Sequence, residues 1–225
     1  MPPKTPAEAW TELTAGNERF VRGEMAHPSQ DVDHRAQLSD AQSPFAVVFG
    51  CSDSRVAAEI VFDRGLGDLF VVRTAGHVID TTVLGSVEYG VQVLGAPLVL
   101  VLGHDSCGAV AAAADALTTG RMPEGFVRAV VDRVIPSIVA LPEVREAGGT
   151  AGPTPGVGSP AGWAVAPDPE VLGREHVRHT VRMLLSYSAA VREAVRDGRC
   201  AIVGATYALA EGRVRAVEAA GLPPA

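Results

Sequence analysis

Three short runs in this chain, residues 45–49, 69–72 and 98–102, are apolar at every position and too short to stand alone as helices. They read as strands buried on both faces. Apolar residues recur at helical spacing between and after them: Val56, Ile60 and Val61 within 55–63, then residues 83–94, then an alanine-rich stretch over 109–117. Strands alternating with helices predict an α/β fold around a central, mostly parallel sheet. Residues 201–207 read as the last strand, with Cys200 at its entrance as a packing residue. The expected sheet has four or five strands flanked by helices.

Ahead of this core, Thr5 and Pro6 open a helical pattern carrying Trp10, Leu13, Asn17, Phe20 and Val21. A polar connection over 23–43 follows, with a short helical turn near 35–38. Residues 1–43 are therefore expected to form a helical arm outside the main body. Helical spacing returns over 123–141 and 171–195, while 148–169 is rich in Gly and Pro without periodicity and reads as an exposed loop. At 225 residues the chain suits one large domain spanning 1–225.

Hydrophobic residues make up 47% and charged residues 20%, which excludes a disordered or disulfide-dense chain. A formal charge of -7 disfavours a sequence-independent grip on nucleic acid or an anionic membrane, so a small-molecule partner is expected. The first ten residues hold no apolar leader-like core, and no segment reaches about 18 uninterrupted apolar residues. The three cysteines, an odd number, suit a reducing compartment. The expectation is a cytoplasmic protein.

Cys51 follows the first predicted strand and His104 the third, with Cys107 three residues later at the start of a helix. In an open parallel sheet such strand ends converge where the strand order reverses. Two thiolates and an imidazole form a borderline-soft set that suits zinc and leaves one of four tetrahedral positions. Asp53 and Arg55 share the turn after Cys51. Taken alone they read as a helix cap and a surface ion pair. Beside a metal, Asp53 closes the fourth position or accepts a hydrogen bond from bound water, with Arg55 holding it in the second role. Two thiolates cancel the formal charge of zinc, so such an acceptor compensates for a weaker Lewis acid.

Two other motifs fail on context. Gly103 to Gly108 has phosphate-loop glycine spacing but is followed by Ala109 and Val110, and the GxGxxA pattern from Gly156 to Ala161 has no preceding strand. A closed structural zinc site in a binding module, and a cysteine hydrolase using Cys107 with His104, remain open as alternatives at this point.

The pair Cys51-Ser52-Asp53-Ser54-Arg55 and His104-Asp105-Ser106-Cys107-Gly108, with Ala57-Ala58-Glu59 and Val72-Arg73-Thr74-Ala75-Gly76, resembles the plant-like subgroup of the β-class carbonic anhydrases. The resemblance runs from about residue 6 to 207, with 148–169 unmatched. It implies the fold of that family and a zinc lyase that interconverts carbon dioxide and bicarbonate through zinc-bound hydroxide. It implies Cys51, His104 and Cys107 as zinc ligands, Asp53 and Arg55 as the catalytic dyad, and Asp53 as a fourth ligand in a closed form at low pH. It places Gln42, Phe70, Tyr89 and Gly108 in the substrate pocket, the two aromatics from a neighbouring subunit of a homodimer or homotetramer. A regulatory subgroup carries Trp where this chain has Val48, so no regulatory bicarbonate site is expected. Carbonyl sulfide or carbon disulfide hydrolysis on the same scaffold is a neighbouring activity. His77, read as a surface residue, is a weak candidate for proton shuttling.

Overall fold

A computed structural model describes residues 5–139, 141 and 168–222. The first helix, α1 (Pro6–Arg22), starts where expected: Thr5 and Glu8 exchange side-chain and backbone hydrogen bonds at 3.2 and 3.0 Å, with Pro6 at the first helical position. Ala9 and Leu13 of this helix are fully buried against Phe45, Phe62 and Leu98. The first helix of the arm therefore forms part of the core, while residues 23–43, which include the short α2 (Val32–Gln37), bury no residue.

Asn17 fastens the arm. Its amide nitrogen donates to the carbonyls of Val61 (3.1 Å) and Gly212 (2.8 Å), and its oxygen accepts from the Val214 amide at 2.9 Å. Replacing Asn17 by leucine strands these groups, at a cost of about 1–3 kcal/mol. Thermal unfolding should record a lower Tm; an unchanged Tm would mean the arm is held by its apolar face alone.

Five strands form the sheet: β1 (Ala46–Cys51), β2 (Leu69–Thr74), β3 (Leu98–His104), β4 (Ala201–Ala208) and β5 (Arg213–Ala220). Their order is β2-β1-β3-β4-β5, parallel across the first four, with β5 antiparallel to β4. Every residue of β1 and β3 is buried, as required of strands covered on both faces. The strand over 201–207 is thus not the last. In β5 charged Arg213, Arg215 and Glu218 interrupt small apolar residues, which suits a sheet edge and hides the strand from apolar-run reading.

Several helices depart from the bounds their apolar spacing suggests. In place of a helix over 55–63, the chain turns first, with the Asp53 carbonyl accepting from Val56 at 3.0 Å, and only α3 (Ala58–Val61) is helical. The segment 83–94 becomes α4 (Thr81–Glu88) followed by a wider π turn, Tyr89–Val93. Beyond β3, α5 (Gly108–Thr119) and α6 (Val127–Val139) pack together. The stretch 171–195 divides into α7 (Pro169–Tyr187) and α8 (Ala189–Arg196) at Ser188, whose hydroxyl accepts from Val191 (3.0 Å) and donates to Glu88 (2.6 Å). The loop expected over 148–169 lies outside the described residues except for Asp168 and Pro169, which cap and open α7.

Candidate metal centre

The sheet grows from β1 to β2 on one side and from β3 to β4 on the other, so strand order reverses between β1 and β3. Chain ends diverge there and leave a crevice. Cys51 is the last residue of β1 and His104 the last of β3, while Cys107 sits at the N-terminal cap of α5. All three are buried, and their ligand atoms lie within 4.8 Å of one another.

The imidazole is oriented for a metal. The Asp105 carbonyl lies 2.7 Å from His104 Nδ1 and can only accept, so that nitrogen carries the proton. Nε2 is left as a buried lone pair without a partner among the described residues. A bound cation resolves that orphan. Two sulfurs and one imidazole match the donor preference of zinc. The sulfurs share a proton: the Cys107 hydrogen bond draws the Cys51 pKa far down against the cost of burial, while Cys51 and burial push Cys107 up.

Asp53 faces the same crevice. Its carboxylate accepts two hydrogen bonds from the Arg55 guanidinium, at 2.9 and 2.6 Å, and one from the Arg55 amide at 2.9 Å. Arg55 holds the carboxyl well below the usual carboxylate range. Asp53 Oδ2 lies 3.9 Å from His104 Nε2, close to the metal corner but engaged by Arg55. Arg73, which the sequence reading left without a role, donates to the Cys51 carbonyl (2.9 Å) and the Asp53 carbonyl (2.6 Å) from the end of β2. It pins both ends of the ligand-bearing turn.

A profile described as carbonic anhydrase matches residues 46–214, which is most of the chain and all of this centre. "Carbonic anhydrase 2" of Mycobacterium tuberculosis is 52% identical over 213 residues, covering 95% of this chain and 93% of the relative. This chain belongs to the β-class carbonic anhydrase family. A carbonic anhydrase of Mycolicibacterium smegmatis is also 52% identical, over 95% of this chain and 94% of its own. Among solved structures, a tetrameric β-carbonic anhydrase of Sordaria macrospora shares the fold with a TM-score of 0.65 at 20% identity, covering 93% and 94% of the two chains.

The pocket residues expected of a carbonic anhydrase are not all gathered at the metal centre. Gly108, the first residue of α5, is exposed beside Cys107, and a Cβ built there would meet nothing within 4 Å. Gln42 is exposed in the coil before β1. Phe70 and Tyr89 pair with each other, ring centroids 6.0 Å apart. Phe70 lies four residues back along β2 from Thr74, the register partner of Cys51. At the usual strand rise that is about 13 Å from the metal end of the sheet.

His77 corrects an expectation. It is 2% exposed, edge-on to the Phe49 ring and tilted against that of His176, with neither ring nitrogen partnered among the described residues. Burial, and the nearby His176 and His104, drive its pKa well down. His77 is thus a core residue and not the surface histidine expected from the sequence.

Proposed function

We propose that this carbonic anhydrase binds zinc through Cys51, His104 and Cys107 and catalyses the reversible hydration of carbon dioxide to bicarbonate and a proton. The observation that carries the reading is the convergence of these three side chains at a strand-order reversal, with an ionised carboxylate at its margin. When bound, zinc acidifies a water molecule so that it attacks an electrophile near neutral pH. Asp53 serves as the acceptor that orients the attacking group. Arg55 keeps that carboxylate ionised and engaged at the margin of the metal corner, which leaves the fourth position to solvent. Gly108 leaves room for substrate beside Cys107, and Gln42 offers an amide to a substrate oxygen. The cytoplasmic assignment rests on an odd set of free, buried cysteines.

Stopped-flow measurement on the zinc-loaded protein at pH 8 to 9 should show carbon dioxide hydration above background. A zinc-loaded preparation without it would contradict the proposal.

Phe70 and Tyr89 supply the apolar wall of the pocket from a second copy of the chain, in a homodimer or homotetramer. Tyr89 is 46% exposed and stands beside edge strand β2, which supports delivery to a neighbour. Mixed oligomers provide the check. A Cys107→Ser chain and a Tyr89→Ala, Phe70→Ala chain, each impaired alone, should recover part of wild-type activity when refolded together. Activity no greater than the sum of the separate preparations would place the wall within one chain.

A further inference from the structure

Behind the metal centre, the backbone of one glycine is held from both sides. The chain turns after β2 at Gly76, whose φ of +63° and whose missing Cβ, which would fall 2.6 Å from that of Ala109, both demand glycine. The turn aims its amide at Cys51 Sγ (3.3 Å) and its carbonyl at His176 Nε2 (2.7 Å). His176 lies in α7, 2% exposed, and burial pushes its pKa down to about 4. It is therefore a neutral ring with a single proton. The Gly76 carbonyl can only accept, so the proton is on Nε2. Nδ1 faces the Ser137 hydroxyl of α6 at 3.0 Å, a group that also reaches the Val134 carbonyl at 2.6 Å.

We propose that His176 is a positioning residue: by clamping the Gly76 carbonyl, it keeps the Gly76 amide hydrogen-bonded to the Cys51 sulfur and so tempers the donor strength of that thiolate toward the metal. The inference rests on a metal occupying the Cys51, His104, Cys107 site. The carbonyl and the amide of Gly76 belong to successive planar peptides joined at its Cα, so holding the carbonyl fixes the direction in which the amide points. An N–H donated to a thiolate withdraws charge from sulfur. In a site where two thiolates cancel the charge of the metal, that withdrawal restores Lewis acidity. Partners of this kind around metal sites commonly change affinity or activity by roughly 10–100-fold. The Ser137, His176 and Gly76 groups reach the ligand set through the Gly76 amide at Cys51 Sγ.

Two measurements test this. In cobalt(II)-substituted protein, His176→Leu should move the sulfur-to-cobalt charge-transfer absorption to lower energy, because an unrelieved thiolate gives up charge more readily. His176→Gln, which retains an N–H able to reach the Gly76 carbonyl, should return the band toward its wild-type position. A folded, cobalt-loaded His176→Leu protein with an unmoved band overturns the role of His176. The second measurement needs no variant. In wild type loaded with cadmium-113, the Gly76 amide proton should show scalar coupling to the metal through Cys51 Sγ, and absence of that coupling also overturns the proposal. A wild-type protein with no sulfur-to-cobalt band at all contradicts the metal site itself, and the inference with it.

Discussion

Replacing Cys107 by serine removes both metal and activity. Serine preserves the size and the helix-cap position but exchanges a thiolate donor for a hydroxyl that stays protonated near neutral pH. The remaining Cys51 and His104 offer two donors where a stable zinc site needs three or four. Loss of kcat/KM should exceed about 100-fold, the upper end of what peripheral partners of a metal site contribute. Zinc content after dialysis should fall well below one per chain while far-ultraviolet circular dichroism is retained, because Cys107 caps a helix through its backbone and not its side chain. Full zinc retention with full activity would exclude Cys107 from the centre.

Arg55→Ala has the second large effect, by a different route. The guanidinium is the principal partner of the Asp53 carboxylate, and that carboxylate already stands 3.9 Å from His104 Nε2. Freed from Arg55, Asp53 takes the fourth metal position and displaces solvent. The protein should keep its zinc while kcat/KM falls on the order of 10²–10⁴-fold, the range typical of a positioned acid–base group. Because the two residues act as one unit, adding Asp53→Ala to Arg55→Ala should cost far less than the product of the single losses. Independent, multiplicative losses would show that Arg55 acts other than through Asp53.

The candidate metal triad was legible in the sequence because strand ends are legible. Continuous apolar runs mark β1 and β3, and the first chemically distinctive residues near their ends are the ligands. The structure shifts this only slightly, making Cys51 and His104 the final residues of the strands. Helix lengths were less legible because side-chain hydrogen bonds, such as Asp53 with the Arg55 amide and Ser188 with the Val191 amide, end helices where apolar spacing continues. Strand β5 was hidden by its charges. The groups behind the centre left a fainter trace. Leu172, His176, Thr180 and Leu184 share one buried face of α7, so a histidine at that spacing marks a core position awaiting a polar partner. Nothing local names that partner, since Gly76 is 100 residues away in sequence. The aromatics expected in the pocket, Phe70 and Tyr89, came from family resemblance alone, and a single chain leaves them far from the metal end of the sheet.

X-ray absorption at the zinc edge of the loaded wild-type enzyme tests the central claim most directly. Two sulfur neighbours at about 2.3 Å, with one nitrogen and one oxygen at about 2.0–2.2 Å, are expected. A shell with fewer than two sulfurs, or one lacking the light-atom fourth neighbour, would contradict it.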